Sequence, residues 1–303
     1  MPLPAPHNPR QQYPAMKQTP SPEAPPDKDP YWVDALAQGL AVLHAFDDEH
    51  PTLTLTEIAT RLGWGRSKPF RFVHTLEKLG YLSRDPSGRA YRLTTRAMHL
   101  GFTYLARQPL VELAQPILDA LRQQVGASTH LAVLEQGELV YLALSRTALP
   151  TGINVHVGSR MPAYASSIGR VLLANLPPES REQLLGDRPI PALTPKSTVE
   201  PRAFRKKLEQ ARRDGFIFND EEYLLGIRSI AAPVFDAGGE VVAGINATAL
   251  TTVFSDERIA SLVIPAVKAA AAELSAGLGW LPSREALPAA LRGGAAAADA
   301  PAA

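Results

Sequence analysis

The stretch that decides the fold runs Leu62-Gly-Trp-Gly-Arg-Ser-Lys-Pro-Phe-Arg-Phe-Val-His-Thr-Leu-Glu-Lys-Leu-Gly80. An apolar face at helical spacing is formed by Phe72, Val73, Leu76 and Leu79. The opposite face is polar and basic and is formed by Ser67, Arg71, His74 and Lys78. Between Arg61 and Arg92, eight Lys or Arg stand against two acids, a net charge of +6 on a chain whose total is +1. Such a local positive field is typical of a phosphate-binding module, although a charged face on one helix is more often simply solvated.

Two helices are predicted upstream of this stretch. The first carries an apolar stripe at i, i+3, i+7 and i+10, formed by Val33, Leu36, Leu40 and Leu43, and ends near Phe46. Thr54 and Glu57 have the spacing of a capping box, in which the hydroxyl and the carboxylate each satisfy a backbone amide at a helix start. The second helix is therefore predicted to begin there and to end at Gly63.

The third helix follows after only a few residues. Because proline is tolerated in the first turn of a helix but not in its interior, Pro69 places the helix start at Ser67. Ser67 is predicted to be the N-cap, with its oxygen accepting a hydrogen bond from the amide of Phe70. The helix is predicted to run to about Leu79, with Gly80 after it.

A basic β-hairpin is predicted next, with strands over residues 81–84 and 90–93 joined by a Pro86-Ser87-Gly88 turn. Three helices and a basic hairpin form the order of a winged helix-turn-helix, whose third helix enters the major groove. The predicted DNA-binding residues are Arg66, Ser67, Lys68, Arg71 and His74 on the helix, and Arg84 and Arg89 on the hairpin. A small helical bundle that binds nothing is the alternative.

Composition divides the chain into five segments. Residues 1–30 contain ten prolines and are predicted to be a disordered arm, and the alanine-rich residues 281–303 a disordered tail. The winged helix-turn-helix occupies residues 31–93. Residues 94–108 are predicted to form a helix that links the domains and either pairs with a second copy or packs on its own chain. Residues 109–280 are predicted to form an α/β domain.

The predicted elements of this domain are a helix over 110–125, strands over 130–134, 138–144 and 153–157, a helix from Ser166 to Ala174, a helix containing Phe204, Leu208 and Ala211, strands over 229–235 and 241–249, and a last helix from Ser255 to about Leu278. There is no cysteine, so disulfides and thiolate chemistry are excluded. No apolar run of about 18 residues and no signal peptide are recognised, so we expect a cytoplasmic protein without a membrane partner.

Motifs of catalysis are missing from the sequence: there is no GxSxG, SxxK, Walker loop, HExxH or dinucleotide fingerprint. We therefore expect no enzyme, no cofactor and no metal site. Two lone histidines, His130 and His156, are more often core or rim residues than metal ligands. The basic residues between Arg202 and Arg213 are interleaved with acids and are interpreted as a solvated helix face.

Two features of this domain suit a small ligand. The helix start at Ser166 and Ser167 offers unpaired amides and a positive dipole end, which bind carboxylates, although a plain N-cap explains the same residues equally well. Asn246 and Thr248 lie two apart on a predicted strand and share one face, where the pattern otherwise indicates a core. A buried ligand would satisfy them, and so would neighbouring backbone.

Six motifs resemble the IclR family of bacterial transcriptional regulators over residues 31–280. They are Ala35-Leu-Ala-Gln-Gly-Leu-Ala-Val-Leu, Leu55-Thr-Glu-Ile-Ala, Thr75-Leu-Glu-Lys-Leu-Gly-Tyr-Leu, Tyr91-Arg-Leu-Thr, Val157-Gly-Ser-Arg-Met-Pro-Ala-Tyr-Ala-Ser-Ser-Ile-Gly-Arg-Val-Leu-Leu-Ala and Asp220-Glu-Glu-Tyr-Leu-Leu-Gly-Ile-Arg-Ser-Ile-Ala-Ala-Pro-Val. The resemblance implies an α+β protein in which a helix joins the winged helix-turn-helix to a GAF-like α/β effector-binding domain. It also implies that a homodimer or tetramer binds an operator in double-stranded DNA. RNA polymerase is left open as a further partner.

The last motif is most similar to the PcaR/PcaU/PobR branch, regulators of aromatic-acid breakdown through the β-ketoadipate pathway. The resemblance implies an aromatic or ring-cleaved carboxylic acid as the effector, bound by Met161, Ser167, Ile168, Asn219, Ser229, Asn246 and Thr248. Asn219 stands where some relatives have Asp, which favours a carboxylate effector, and Pro69 shortens the usual start of the third helix. Three alternatives stay open: a short aliphatic acid such as glyoxylate or pyruvate, an enzyme with a winged-helix interaction module, and a structural DNA-binding protein without an effector.

Overall fold

The computed structural model describes residues 30–47, 49–147, 155–186 and 190–280, without the side chains of Leu100 and Phe102. The predicted disordered tail, and all but the last residue of the predicted arm, lie outside these ranges. The chain divides into two compact units between Gln108 and Pro109.

The first unit is a winged helix-turn-helix. Its elements are α1 (Asp34–His44), α2 (Leu55–Arg61), α3 (Lys68–Lys78), β1 (Leu82–Arg84), β2 (Tyr91–Leu93) and α4 (Thr95–Leu105). The predicted capping box is present: the Thr54 hydroxyl accepts from the Glu57 amide at 3.3 Å, and the Glu57 carboxylate accepts from the Thr54 amide at 2.7 Å. β1 and β2 pair antiparallel, with Leu82 opposite Leu93. The core between helices and hairpin contains Val42, Phe46, Leu53, Ile58, Val73, Leu76, Leu82 and Tyr91.

The apolar stripe predicted on α1 is present, but most of it is uncovered. Leu36 is 65% exposed and Leu40 45% exposed, and Val33 is exposed as well. The side of α1 that enters the core carries Ala41 and Val42 instead. Spacing alone identifies an apolar stripe, but it does not identify what covers the stripe.

The start of α3 also differs from the prediction. Ser67 precedes the helix, and Pro69 lies in its first turn as predicted, but the Ser67 hydroxyl makes no capping hydrogen bond. Its backbone is already helical, with φ −85° and ψ −20°, whereas a capping side chain needs an extended backbone to reach the free amides. The amide of Lys68 bonds the Gly65 carbonyl at 3.0 Å, so a backbone turn forms this helix start. At the other end of α3, Leu79 is 51% exposed rather than packed.

The second unit is a sheet covered by helices on both faces. Its elements are α5 (Pro109–Val125), β3 (Ser128–Glu135), β4 (Glu138–Ser145), β5 (Arg160–Pro162), a 3-10 turn (Ala163–Ala165), α6 (Ser167–Asn175), α7 (Pro178–Leu185), α8 (Pro201–Asp214), β6 (Ile217–Asp220), β7 (Ile227–Phe235), β8 (Val241–Leu250), α9 (Asp256–Arg258), a π-helical segment (Ile259–Val263) and α10 (Ile264–Gly277). The strand order is β5-β4-β3-β8-β7-β6, and all neighbours pair antiparallel. With the winged helix-turn-helix, this sheet confirms the predicted α+β class.

Consecutive residues of β3 show how the two faces differ. The Thr129 hydroxyl donates to the Leu118 carbonyl of α5 at 2.9 Å, whereas His130 belongs to the face covered by α6. Alternation along a strand places neighbours on opposite faces. Helices α5 and α10 pack on the first face, and α6, with α8 behind it, on the second.

The third strand was predicted in the wrong place. Residues 153 and 154 lie outside the described part of the chain, and Val155 to Val157 are not in a strand; the edge strand is instead β5. The three residues of β5 are too few to show a periodic pattern, so β5 was not predicted. The strand β6 and the helix α7 were not predicted either.

The last helix corrects the expectation that no apolar run reaches membrane-spanning length. Among the described residues, Asp256–Gly277 is long and apolar enough by composition alone, with a mean hydropathy of 1.5. Its buried side carries Val267, Ala271 and Leu274, and α10 packs on β7 and β8. The helix therefore has the environment of a core helix.

Candidate functional site

The exposed face of α3 is the first candidate site. Every residue predicted there for DNA binding is exposed, namely Arg66, Ser67, Lys68, Arg71 and His74. Aromatic rings support two of them: the Lys68 ammonium lies 4.6 Å from the centre of the Trp64 ring, and the His74 ring stacks on Phe70 at 6.0 Å. The core side of the same helix holds Val73 and Leu76. α3 thus presents a basic surface while its other face fixes it in the core.

The two hairpin arginines differ in their surroundings. The Arg84 guanidinium donates to the Glu77 carboxylate of α3 at 3.0 Å and to the Gly88 carbonyl at 3.3 Å, and lies 5.3 Å from the Tyr91 ring. Hydrogen bonding to Glu77 raises the pKa of Arg84. Arg84 therefore connects the hairpin to α3, whereas the exposed Arg89 stands at the tip.

A cavity in the second unit is the second candidate site. The space between its lining residues, counted together with the open solvent at its mouth, is about 400 Å³. Side chains from five strands share its floor: Tyr141 on β4, His130 on β3, Asn246 and Thr248 on β8, Ser229 on β7 and Asn219 on β6. Strand registers produce this row, because His130 pairs with Asn246, Thr248 with Ser229, and Ser229 with Asn219. The walls are formed by Val155, Met161, Ser166, Ser167, Tyr223 and Ile227.

The start of α6 forms one wall. The Ser166 hydroxyl caps the helix by accepting from the Gly169 amide at 2.8 Å. Within the described part of the chain, the amides of Ser167 and Ile168 donate to no acceptor. Ser166 and Ser167 are nonetheless buried, so these amides belong to a helix end that is largely screened from water. Such an end attracts an anion.

A chain of hydrogen bonds crosses from the floor to α6. His130 Nδ1 and Asn246 Oδ1 are 2.8 Å apart, and Asn246 Nδ2 donates to Ser167 Oγ at 3.2 Å. Since an amide oxygen only accepts, the proton of His130 is assigned to Nδ1 and Nε2 carries a lone pair. Burial lowers the pKa of His130 to about 4, so the ring is neutral near pH 7. The Ser167 hydroxyl already accepts a bond and has its own proton to donate.

The opposite wall is held by the loop after β6. Asn219 Nδ2 donates to the Ala165 carbonyl at 3.3 Å, and Asn219 Oδ1 accepts from the Glu222 amide at 3.1 Å. This places Tyr223 beside the cavity, where burial raises the pKa of its hydroxyl. Burial raises the pKa of Tyr141 as well, and the neighbouring Tyr223 adds to the effect. Both phenols therefore stay protonated and can donate hydrogen bonds.

A buried ion pair lies behind this wall. Arg170 of α6 and Glu222 are 3.0 Å apart, with exposed side-chain fractions of 3% and 4%. Lys207 of α8 donates to the same carboxylate at 2.8 Å, and so does the Thr198 amide at 2.9 Å. These partners outweigh the effect of burial and hold the pKa of Glu222 at about 2. α6, α8 and the β6–β7 loop are thus connected through one carboxylate.

Six of the seven predicted effector residues line the cavity: Met161, Ser167, Asn219, Ser229, Asn246 and Thr248. Ile168 does not. Its side chain is fully buried in the core and lies against β8 at Gly244, where an added Cβ would come within 2.7 Å of it. Only its backbone amide belongs to the helix start.

His130 was passed over as a lone histidine, and Tyr141 and Tyr223 were not singled out at all. Alternation along β3 was a signal for His130, since it puts a polar ring on the same face as two inward apolar positions. Pairing between His130 and Asn246, 116 residues apart, could not be read from the sequence. Among the described residues there is no group of three or more His, Cys, Asp or Glu that could hold a metal ion.

The first unit presents a basic helix of the kind that reads DNA, and the second unit contains a polar cavity. Together they define the class of ligand-responsive transcription factors. The chain belongs to the IclR family of bacterial transcriptional regulators, as the sequence motifs predicted. The IclR helix-turn-helix domain matches residues 35–86, and the C-terminal domain of the bacterial transcriptional regulator IclR matches residues 102–276.

Individual relatives agree with this assignment. The Pca regulon regulatory protein of Pseudomonas putida is 35% identical over 247 residues, which cover 81% of this chain and 84% of that protein. The p-hydroxybenzoate hydroxylase transcriptional activator of Acinetobacter baylyi is 32% identical over 80% of this chain and 91% of its own length. A crystal structure of an IclR homologue from Microbacterium hydrocarbonoxydans, complexed with 4-hydroxybenzoate, matches with a TM-score of 0.72 and 28% identity over 80% of this chain and 98% of that chain.

Proposed function

We propose that this protein regulates transcription of genes for aromatic-acid catabolism, and that an aromatic or ring-cleaved carboxylic acid controls its affinity for an operator. The observation that carries the proposal is the cavity of the second unit, in which a polar floor meets the buried start of α6. Polar side chains in an enclosed space need partners, and a ligand with polar groups supplies them.

The aromatic character of the effector rests on two kinds of support. Tyr141, Val155, Met161, Tyr223 and Ile227 provide flat or apolar surface around the cavity. Two relatives carry names that refer to the Pca regulon and to p-hydroxybenzoate hydroxylase, and a third was crystallised with 4-hydroxybenzoate. A short aliphatic acid such as glyoxylate or pyruvate would leave most of this apolar surface without contact.

The residues proposed for the two sites are those described above. On DNA we propose that Arg66, Ser67, Lys68, Arg71 and His74 face the major groove and that Arg89 reaches phosphate. Arg84 contributes by holding the hairpin to α3. In the cavity, Met161, Ser167, Asn219, Ser229, Asn246 and Thr248 contact the effector, and Ile168 does so through its amide.

The proposal includes the state in which the protein works. It acts in the cytoplasm as a homodimer or tetramer, because a symmetric operator is read by paired helices. It has no catalytic activity, and RNA polymerase is the partner through which bound protein would alter transcription.

A DNA-binding titration tests the proposal. Fluorescence anisotropy of labelled DNA from the region upstream of the protein's own gene is measured at fixed salt, with and without 4-hydroxybenzoate, protocatechuate or β-ketoadipate. We expect saturable binding and a change of at least threefold in Kd with one of these acids. A DNA affinity that none of these acids changes, together with a thermal midpoint that none of them raises, would remove the effector function and leave only a DNA-binding protein.

A further inference from the structure

An apolar ring lies on the exposed surface of α3, among the polar and basic residues proposed for DNA contact. Phe70 is 54% exposed, and of the residues of α3, all of which the structure describes, it is the only large apolar one that is exposed. The other large apolar residues of the helix, Phe72, Val73 and Leu76, pack in the core of the first unit. A single exposed apolar residue is ordinary on a protein surface, so its position on the helix decides whether it has a role.

The position of Phe70 is on the side of α3 that is proposed to face DNA. Ser67 lies three residues before it and His74 four residues after it, so all three share one side of the helix. The exposed Arg71 follows directly. Phe70 also lies in the first turn of α3, and a recognition helix contacts base edges mainly through its N-terminal residues. The ring is therefore placed to meet base pairs when α3 enters the major groove.

Stacking holds the ring of Phe70 in place before any DNA is bound. The centres of the Phe70 and His74 rings are 6.0 Å apart, and their planes are inclined by 18°. This distance is within the range of favourable contacts between rings. A side chain that is already held against a neighbour loses less conformational freedom when a partner binds. Phe70 is thus suited to make a specific contact.

The major groove offers one methyl group to such a ring. Base edges there present nitrogen and oxygen acceptors and amino donors, and thymine adds its C5-methyl group. A phenyl ring cannot hydrogen-bond a guanine or cytosine edge in the way that a polar side chain does, so it would displace water from that edge without replacing its bonds. Against a thymine methyl group, apolar surface is buried on both partners.

We propose that Phe70 reads a thymine of the operator by packing its ring on the C5-methyl group in the major groove. This inference rests on the DNA-binding function. The neighbouring cations Arg66, Lys68 and Arg71 attract DNA of any sequence through its phosphates, whereas the contact of Phe70 depends on the base. Phe70 is therefore a specificity-determining residue that carries no charge and forms no hydrogen bond to DNA.

Deoxyuridine tests the contact, because it pairs as thymidine does but lacks the methyl group. Duplexes of random sequence are first enriched on the full-length protein, and the most tightly bound duplex is then prepared with each thymine replaced in turn by deoxyuridine. Kd values are measured by fluorescence anisotropy at fixed salt. We expect a thymine at which the replacement weakens binding about fourfold, the effect of losing one buried methyl group. In Phe70→Ala the same replacement should change Kd by less than about 1.5-fold.

Two further variants serve as controls. Phe70→Leu keeps apolar surface at this position and should still bind the deoxyuridine duplex at least about twofold more weakly than the thymine duplex. Lys68→Ala removes a cation from the same helix, so it should weaken binding to both duplexes by the same factor and leave the fourfold ratio unchanged. Thermal unfolding shows that each variant is folded. The ratio of two Kd values on one variant is insensitive to a partial loss of active protein.

The outcomes distinguish the inference from the function on which it rests. An equal loss of affinity for both duplexes in Phe70→Ala would overturn the inference and assign Phe70 to the support of His74 through stacking. Full retention of the thymine preference in this variant would overturn it too, and so would a selected duplex in which no thymine is sensitive to the replacement. DNA binding itself stays intact in all three cases. Failure to enrich any duplex would overturn the DNA-binding function, and the inference with it.

Discussion

Substituting Gly169 with alanine should damage the effector cavity without touching any polar group in it. An alanine Cβ at this position would lie 2.2 Å from the carbonyl oxygen and 2.5 Å from the Cα of Ala163. Both atoms belong to backbone, so no side chain can swing away. Real Cβ atoms essentially never come closer than 3.0 Å, so α6 and the 3-10 turn before it must separate by about 1 Å.

Two energies of opposite sign decide the effect on stability. Alanine is favoured over glycine in a helix by about 1 kcal/mol, and overpacking a rigid core costs about 1–3 kcal/mol, more against backbone. Because the added Cβ meets backbone, the overpacking cost lies near the upper end, about 3 kcal/mol, and we expect a net loss of about 2 kcal/mol. The shift also moves Ser167 relative to Asn246, whose hydrogen bond at 3.2 Å would no longer form. The Kd for the effector should therefore rise at least tenfold.

Urea unfolding and calorimetric titration check both effects. Gly277→Ala is the matched control in the same unit, since its Cβ would meet only Leu113 at an ordinary 3.5 Å. That variant should be neutral or more stable by up to about 1 kcal/mol. The reasoning about close packing at the start of α6 is refuted if Gly169→Ala equals or exceeds the unsubstituted protein in stability and binds effector with the same Kd.

Three further expectations concern the two sites and their surroundings. Arg71→Ala should weaken operator binding by about 1–3 kcal/mol if Arg71 reads a guanine. If Arg71 contacts phosphate, the loss should be smaller and equal for all DNA sequences. Fluorescence anisotropy with operator and scrambled DNA distinguishes the two contacts, and unchanged affinity for both DNAs places Arg71 outside the interface. Acid should destabilise the second unit in two steps. In the first, the pKa of His130 in the folded protein is about 4, below the ordinary 6.5. Burial of the neutral ring therefore contributes about 3 kcal/mol of stability above pH 6.5, which is lost as the pH falls toward 4. The folded pKa of Glu222, about 2, is likewise below 4.5, so its contribution is present above pH 4.5 and lost toward pH 2. Urea midpoints from pH 7 to 3 should show that His130→Asn flattens the upper step and Glu222→Gln the lower, and identical pH profiles for all three proteins would contradict both assignments. Asn219→Asp should destabilise the protein at the cavity wall by about 1–3 kcal/mol, because a carboxylate cannot donate to the Ala165 carbonyl at 3.3 Å and repels it. Asn219→Ser keeps a donor and should cost less. Equal thermal midpoints for the two variants would be evidence against the hydrogen bond from Asn219 to Ala165.

Features that depend on neighbours in the chain were predictable from the sequence. The capping box of Thr54 and Glu57, the start of α6 at Ser166 and the paired polar positions Asn246 and Thr248 each follow from spacings of two to three residues. The resemblance to a family then placed Asn219 and Ser229 near them, which no spacing could do.

Features that depend on distant partners were not predictable. The stripe on α1 has the correct period but an uncovered face, and Ser67 has the correct position but the wrong backbone conformation for capping. His130 becomes a cavity residue only because β3 pairs with β8, more than 100 residues later. β5 is found at the edge of the sheet because of its pairing with β4, and its three residues carry no pattern of their own.

The described residues that line the cavity of the second unit include no Lys, Arg, Asp or Glu, and this has a consequence for how the selectivity of the cavity can change over time. Exchanging one uncharged side chain for another at Ser229, Thr248 or Tyr223 alters shape and hydrogen bonding but adds no buried charge to the protein. Successive substitutions can therefore change which substituted aromatic acid binds most tightly, while the stability of the fold is kept. The same property makes this unit a suitable starting point for designing sensors of small organic acids.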